Sequence, residues 1–237
     1  MSSQNSAADK KTVIRSWHDL AKIIDHTNLR PEATANQIVR LCEEAREFGL
    51  GAVMVNSCHV ALATSNLQGS DVTVGAVVGF PLGAALTSVK VFEAAEAMKL
   101  GAREIDMVIN IGALKAGDRE LVLSDIRAVA EVVHAQKSLL KVILETGLLT
   151  DDEKLAACEI SEKAGADFVK TSTGFLGGVA TVEDVAFMRR AVTIGVKASG
   201  GIRTASDARK MIEAGANRLG TSSGVNIIRE WRAEAGV

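Results

Sequence analysis

The chain has 237 residues, a length that suits one large domain or two small ones. Hydrophobic residues make up 47% of the sequence, which supplies enough apolar side chains for a substantial core and excludes wholesale disorder. The formal net charge of −2 gives no electrostatic basis for binding nucleic acid or an anionic membrane, although a locally positive pocket can still bind a small anion.

The amino-terminal stretch and the cysteines indicate the cellular compartment of the protein. Residues 1–12 are polar and lack the apolar segment of a secretory signal, so we expect a flexible lead-in to a single domain over residues 13–237. No apolar run in the sequence reaches the roughly 18 residues that a membrane span needs. Cys42, Cys58 and Cys158 have neither the number nor the spacing of a disulfide framework or a zinc site. These features predict a soluble cytoplasmic protein.

From residue 13 onward, short β-branched runs alternate with longer segments whose apolar residues recur at the helical period. Gly-Ala pairs beginning at Gly51, Gly101, Gly165 and Gly215 stand between a helix end and the next strand. We expect each glycine to adopt the left-handed conformation that closes a helix and each alanine to pack closely where the strand begins. The predicted strands are AKIIDHT around Ile24, GAVMVN around Val53, VTVGAVVGF around Val77, EIDMVIN around Met107, LLKVILET around Ile143, ADFVKTS around Val169, GVKASG around Lys197 and NRLGTSS around Leu219.

Strict alternation of strands and helices indicates a parallel sheet with right-handed crossovers. Eight such units in this length favour a closed (β/α)8 TIM barrel over an open doubly wound sheet. An open sheet usually carries G-x-G-x-x-G after its first strand, and the sequence has no such turn there. We therefore predict a single α/β TIM barrel whose active site lies at the carboxyl ends of its strands.

Charged residues inside apolar strands are costly to bury and therefore mark candidate sites. Asp25 ends the predicted first strand, Asp106 lies in the fourth, and Lys170 and Lys197 lie in the sixth and seventh. Two lysines on adjacent strands repel each other in a pocket of low dielectric constant, and both this repulsion and desolvation lower a lysine pKa. A neutral amine can attack a carbonyl and form a Schiff base. Asp106 would then hold the second lysine charged or transfer protons.

Each of these residues also has an ordinary structural interpretation. A single lysine in a strand commonly extends its ammonium group to solvent, and Asp106 could simply pair with Lys141 or cap a turn. The joint occurrence of two lysines and an aspartate favours a site, but spacing alone leaves both interpretations open.

Two glycine- and serine-rich loops predict a phosphate site. SGGI, residues 199–202, follows the seventh strand, and GTSSG, residues 220–224, follows the eighth, each where a helical pattern begins. Free backbone N–H groups, helix N-termini and serine hydroxyls bind anions, and TIM barrels commonly bind phosphate at this position. Arg203 is close enough in sequence to add positive charge, although such loops also occur as ordinary turns.

No metal or cofactor is predicted. The histidines show neither H-x-x-x-H nor H-E-x-x-H spacing, so a metal site is not expected. Thr171 and Thr173 directly follow the lysine strand, and we expect them to bind substrate at the mouth of the site. The acidic run after Thr150 indicates the start of a helix.

Seven motifs occur along the chain in a fixed order, from about Leu20 to the last helix: IDHTNL, GFPLG, EIDMVIN, VILETG, FVKTSTGF, VKASGGIRT and RLGTSSG. Together they resemble the deoxyribose-phosphate aldolase family, and FVKTSTG followed by VKASGG is the most specific part. The resemblance implies a metal-independent class I aldolase on a TIM barrel. Such an enzyme reversibly cleaves 2-deoxy-D-ribose 5-phosphate into D-glyceraldehyde 3-phosphate and acetaldehyde in deoxynucleoside breakdown.

The resemblance also implies roles for individual residues. Lys170 corresponds to the Schiff-base lysine and Lys197 to the lysine that lowers its pKa and shares in proton relay. Asp106 corresponds to the proton-transfer carboxylate, which holds a water together with Lys197, and Asp25 to a residue near a substrate hydroxyl. The positions that match phosphate contacts are Gly200, Gly201, Gly220, Ser222 and Ser223.

Two positions depart from some family members. Met54 stands where those members carry a cysteine, and the chain has no tyrosine anywhere, whereas they use one near the C-terminus. Tyrosine-assisted protonation therefore has no residue to perform it here. Aliphatic helix exteriors in a barrel also make a homodimer or higher homo-oligomer plausible.

Three alternatives remain open. Another class I aldolase or a transaldolase would use the paired lysines on a different phosphosugar. An isomerase or lyase using Asp106 and a protonated lysine would turn over substrate without a trappable imine. A non-catalytic sensor would bind a phosphosugar without turnover.

Overall fold

Eight short runs of mostly buried residues form parallel strands that pair in chain order and close from the last strand back to the first. The computed structural model describes residues 12–236, so the predicted flexible segment lies outside the described residues except for Thr12. The predicted (β/α)8 TIM barrel and the position of every predicted strand are confirmed. The strands are β1 Ile24–Asn28, β2 Ala52–Val55, β3 Thr73–Val78, β4 Glu104–Val108, β5 Leu139–Ile143, β6 Phe168–Lys170, β7 Gly195–Ser199 and β8 Arg218–Thr221.

Helices connect the strands and cover the barrel. Short 3-10 turns also follow β2 and β5, at Ser57–His59 and Thr146–Leu148. The helices are α1 Trp17–Lys22, α2 Ala35–Phe48, α3 Val60–Asn66, α4 Thr87–Lys99, α5 Ile111–Lys115, α6 Arg119–Ala135, α7 Asp151–Lys163, α8 Val182–Ala191, α9 Ala205–Glu213 and α10 Gly224–Ala235.

Threonine starts several of these helices. The hydroxyl of Thr150 accepts a hydrogen bond from the backbone N–H of Glu153, and the Glu153 carboxylate accepts one from the N–H of Thr150. This reciprocal capping box satisfies N–H groups that have no partner inside the helix. The predicted helix start after Thr150 is therefore confirmed, and Thr34 and Thr204 cap α2 and α9 in the same way.

The Gly-Ala pairs close helices in three of the four places where the sequence indicates it. Gly101, Gly165 and Gly215 have φ angles of +113°, +95° and +112° at the ends of α4, α7 and α9. The expectation is wrong for Gly51, because Gly49, at φ +61°, ends α2 instead. Gly51 is needed for space, since a Cβ there would lie 2.2 Å from the carbonyl oxygen of Lys22.

Alternation along the strands separates an apolar exterior from a charged interior. On β4, Ile105 and Met107 belong to the hydrophobic core between barrel and helices. Glu104 and Asp106 lie on the opposite face, because successive side chains of a strand point to opposite sides. On β5, Lys141 likewise alternates with core residues. TIM barrels usually fill this interior with branched aliphatic side chains, so a group of buried charges is a departure that needs a reason.

Within residues 12–236, no helix combines the length and apolar character that crossing a bilayer requires.

We expect Gly51→Ala to lower the free energy of unfolding by about 1–3 kcal/mol, because the new methyl group would overlap backbone that cannot move aside cheaply. Gly112→Ala in α5 is the matched control. Its Cβ would lie 3.7 Å from the nearest neighbouring atom, and replacing a helical glycine should be neutral or stabilise by roughly 0.5 kcal/mol. Guanidinium unfolding of the two variants and the parent measures both changes. Equal stability of the variants would contradict the packing argument.

Candidate active site

Three inward-facing side chains of β4, β6 and β7 meet near the carboxyl ends of the strands. Strand register pairs Lys170 directly with Lys197. Asp106, across the barrel interior, accepts hydrogen bonds at Oδ2 from Lys170 Nζ at 2.8 Å and from Lys197 Nζ at 2.7 Å. One carboxylate oxygen thus holds both nitrogens, and the three residues that the sequence singled out are brought together.

Lys170 differs from its neighbours because its side chain is accessible from the cavity. Asp25, Asp106 and Lys197 are all completely buried, whereas Lys170 is 4% exposed and lines a cavity of about 620 Å³. An ammonium group at the wall of a cavity can reach a ligand, and one below the wall cannot. The same cavity is lined by Thr173, Gly174, Phe175, Ser199, Gly200, Gly220 and Ser222, and on its β1 and α2 side by residues including Asn28, Arg30, Gln37 and Arg40.

Asp106, Lys170 and Lys197 form the upper group of charges. A second set of charges, the lower layer, lies beneath it. Lys141 donates to Asp106 Oδ1 at 2.9 Å and to Glu104 Oε2 at 2.5 Å. Arg218 contacts Glu104 at 3.0 Å and donates from Nε to Asp25 Oδ1 at 2.9 Å. Asp25 in turn forms an ion pair with Lys197. The layer therefore links both ends of the upper group into one continuous network.

Sequence reasoning missed part of this layer. It treated Lys141 only as an ion-pair partner of Asp106, and that contact is present, but it left out Glu104 and Arg218. Two signals were available. Glu104 stands two residues before Asp106 and so shares its strand face, and Lys141 is a charged residue inside an apolar strand.

The pKa values of Lys170 and Asp106 in the upper group are shifted by different causes. Burial lowers the pKa of Lys170 and the charge of Lys197 lowers it further, so that it falls to about 8 although Asp106 opposes the change. Burial alone would raise the pKa of Asp106. The three lysines around it outweigh that effect and hold the pKa well below its usual range. Asp106 is therefore an anion at neutral pH, and Lys170 loses its proton more readily than an ordinary lysine.

In the lower layer the ionised forms are stabilised. Burial would raise the pKa of Asp25, but Lys197 and Arg218 hold it below its ordinary value. Burial would lower the pKa of Lys141, but the carboxylates of Asp106 and Glu104 raise it above its ordinary value. These groups thus keep fixed charges while Lys170 titrates.

A charge count explains which state is favoured. When every group is ionised, three carboxylates face four cations, and one positive charge has no counter-charge in a poorly solvated interior. Loss of the Lys170 proton makes the cluster neutral. Its members are Asp25, Glu104, Asp106, Lys141, Lys170, Lys197 and Arg218.

The two threonines after β6 have different surroundings. Thr173 lines the cavity, and its backbone N–H donates to Oε2 of the buried Glu145 at 3.0 Å. Thr171 is completely buried and does not line the cavity. Its hydroxyl donates to the carbonyl of Ser199 at 2.9 Å and accepts from the Ser199 N–H at 3.0 Å, which joins β6 to β7. Sequence reasoning did not single out Glu145.

The phosphate-loop residues are only partly brought together. Gly200, Gly220 and Ser222 line the same cavity as Lys170, whereas Ser223 lines a neighbouring one and Gly201 lines neither. A Cβ on Gly220 would lie 2.9 Å from Ser199 Cβ and 3.0 Å from Lys197 Cε, so a side chain there would require these neighbours to shift. The side chain of Arg203 is exposed and does not line the cavity.

Among residues 12–236, no group of three or more His, Cys, Asp or Glu side chains is arranged to hold a metal ion. Met54, at the position where some aldolases carry cysteine, is buried.

The chain is similar in sequence and in fold to known aldolases. The profile of the DeoC/LacD family aldolases matches residues 20–230. The deoxyribose-phosphate aldolase of Thermoanaerobacter sp. (strain X514) is 57% identical over 219 residues, 90% of this chain and 97% of that protein. The enzyme of the same name from Thermococcus gammatolerans is 58% identical over 218 residues, with the same coverages. The tetrameric deoxyribose phosphate aldolase from Aeropyrum pernix has a TM-score of 0.87 at 32% identity, covering 94% of each chain.

We expect reductive methylation of Lys170 to be half-maximal near pH 8, because its pKa is lowered to about 8, whereas an ordinary lysine has a value of about 10.4. The measurement is a short formaldehyde and borane pulse at a series of pH values, followed by peptide mass mapping. Lys99, 71% exposed, is the internal reference for reagent strength. A Lys170 midpoint near that of Lys99 would contradict the prediction.

Proposed function

Since the chain belongs to the DeoC/LacD family of aldolases, we propose that its buried charge cluster cleaves 2-deoxy-D-ribose 5-phosphate through a Schiff base on Lys170. The reversible reaction yields D-glyceraldehyde 3-phosphate and acetaldehyde. The role of Lys170 is supported by its position, because of the three lysines around Asp106 it is the one that lines the cavity.

Imine formation begins on the neutral amine of Lys170. Its Nζ attacks the C1 aldehyde of the open-chain sugar, a carbinolamine forms, and loss of water gives an iminium ion. The Asp106 carboxylate accepts hydrogen bonds from both lysine nitrogens, and so offers a short path for protons that leave or reach Lys170. Lys197 supports the neutral amine by placing a second ammonium group beside it.

The iminium is the electron sink for carbon–carbon cleavage. A base, which we assign to a water held by Asp106 and Lys197, takes the proton of the C3 hydroxyl. The C3 oxygen becomes the aldehyde of D-glyceraldehyde 3-phosphate, the C2–C3 bond breaks, and its electron pair forms the enamine. Protonation at C2 and hydrolysis of the resulting imine release acetaldehyde and restore the Lys170 amine.

The phosphate group fits the end of the cavity formed by the loops after β7 and β8. Gly200, Gly220 and Ser222 line the cavity there, and we place Gly201 and Ser223 in the same cradle as neighbours along those loops. The N-terminus of α10 lies in the second loop and adds a positive dipole end.

The remaining site residues fall into two groups. Thr173 lines the cavity and can contact the sugar directly. Asp25 and Thr171 lie behind the wall, so their effect on the substrate passes through Lys197 and Ser199, which they contact.

We also propose that the enzyme is a homo-oligomer of the cytoplasm. Leu82, Leu86 and Phe92, which lie close together in sequence on and just before α4, are 61%, 73% and 67% exposed, and contacts between subunits commonly cover exposed apolar side chains. The Aeropyrum pernix relative is described as tetrameric. A cytoplasmic setting agrees with the three cysteines, which are free thiols.

Borohydride reduction during turnover of 2-deoxyribose 5-phosphate in EDTA is expected to leave a covalent adduct on Lys170 and to inactivate the enzyme. Lys170→Met should give neither adduct nor turnover. Lys90→Met is the matched control, because Lys90 is another buried lysine with a carboxylate partner, Asp125, and lies between helices. Peptide mass mapping locates the adduct.

Other outcomes of the trapping experiment separate the alternatives. An adduct on Lys197 would reverse the two lysine roles. Turnover without an adduct would support the non-covalent lyase, and an adduct only with a different phosphosugar would support another aldolase. Binding with neither adduct nor turnover would support the sensor.

We expect Ser222→Glu to raise KM for 2-deoxyribose 5-phosphate about tenfold or more, because a carboxylate in the cradle repels the phosphate. KM for unphosphorylated 2-deoxyribose should change less than about twofold. Ser124→Glu, an exposed position on α6, adds the same charge far from the cavity and is the control. An equal rise of KM for both substrates would argue against phosphate binding at Ser222.

A further inference from the structure

We propose that Lys141 is a positioning residue that sets the ionisation of the Schiff-base lysine from beneath the active site. It never contacts substrate, since it is completely buried and does not line the cavity. It acts through Asp106 and through its own positive charge. The inference rests on the proposed function, because it concerns the nucleophile of that reaction.

The two oxygens of the Asp106 carboxylate have different partners. Lys141 occupies Oδ1 at 2.9 Å, while Lys170 and Lys197 share Oδ2. Because Oδ1 of Asp106 accepts a hydrogen bond from Lys141, the carboxylate attracts the Lys170 ammonium less strongly. Lys141 therefore limits how strongly Asp106 can hold Lys170 in its protonated form.

Lys141 also carries a fixed positive charge. Glu104, Asp106 and Asp25 surround its nitrogen at 2.5, 2.9 and 3.8 Å and keep it protonated. That charge adds to the repulsion that favours neutral Lys170. With Lys141 present the ionised cluster carries one excess positive charge, and without it the cluster would already be balanced with Lys170 protonated.

Other charged groups lie on the elements around Lys170. Arg218 on β8 lies against Asp25 and Glu104. Glu145 after β5 accepts at Oε2 from the Thr173 backbone N–H, while its buried Oε1 has no hydrogen-bond partner among the described residues. Lys197 on β7 is the neighbour that shares Oδ2 with Lys170. The charged and titratable side chains on the far wall of the cavity are His26, Arg30, Arg40 and Glu44.

A purely structural role for Lys141 predicts something different. Lys90 offers the comparison within the same chain, since it too is completely buried, lies 2.6 Å from a buried carboxylate, Asp125, and is on no catalytic strand. Removing either lysine leaves a buried carboxylate without its partner and should reduce stability. Only removal of Lys141 should change the titration of the active site.

The experiment compares Lys141→Met with Lys90→Met. Two midpoints are measured: that of kcat/KM for 2-deoxyribose 5-phosphate against pH, and that of Lys170 methylation against pH, which needs no substrate. We expect both midpoints to rise by roughly one pH unit in K141M, because loss of a nearby cation and a less occupied Asp106 both favour protonated Lys170. In K90M they should stay within about 0.2 units of the parent enzyme. Unchanged midpoints in folded K141M would overturn the proposal.

A second pair of variants covers the case in which K141M does not fold. Glu104→Gln retains Lys141, and the double variant K141M/E104Q removes a positive and a negative charge together, which avoids a stranded ion. The proposal requires the methylation midpoint of the double variant to lie roughly one unit above that of E104Q. Equal midpoints would overturn it. Failure of the proposed function would show separately, as a parent enzyme whose Lys170 titrates as described but which cleaves no deoxyribose phosphate.

Discussion

The carboxylate of Asp106 holds three lysine nitrogens in the barrel interior, where Asp106, Lys141 and Lys197 are completely buried and Lys170 is 4% exposed. An ammonium group buried without an opposite charge is strongly unfavourable, so each lysine depends on this one anion and on the two carboxylates beneath it. Because the cluster has one more cation than it has anions, the state with one neutral amine is the balanced one. The ionisation of Lys170 is thus a property of the whole group rather than of this side chain alone.

The barrel makes such a group possible. Closed parallel strands satisfy one another's backbone hydrogen bonds and leave every second side chain to point inward. Hydrophobic stabilisation comes mainly from the outward face, where residues such as Ile105, Val142 and Val169 pack beneath the helices. The interior of β4 to β7 is therefore free to hold charged residues, at a position where the loops after the strands can build a binding cavity above them.

The fold could be predicted because its signals are local. Strand and helix periods, capping threonines and the glycines that end helices each act within a few residues, although Gly49 rather than Gly51 ends α2. Asp106, Lys170 and Lys197 were visible for the same reason, as charged residues inside apolar runs. Asp25 and Lys141 were also visible as charged residues in strands, but their grouping with Glu104 and Arg218 was not, because which inward side chains meet depends on the stagger between strands. Arg218 stands at the first residue of β8, where an arginine ordinarily reaches solvent, and only barrel closure brings it against Asp25 and Glu104. The fixed orientation of the Thr171 hydroxyl toward Ser199 has no sequence signal either.

The contact at Gly220 has a consequence for redesign. The side chain of Lys197 and the loop that we propose to bind phosphate lie so close together that a Cβ on Gly220 would be 3.0 Å from Lys197 Cε. In a library built to accept other aldehydes, a side chain at this glycine would therefore require Ser199 or Lys197 to shift, and Lys197 is the residue that we propose to support the nucleophile. Ser222 is an exposed residue that also lines the cavity, so varying it changes the cavity lining without adding a Cβ against Lys197.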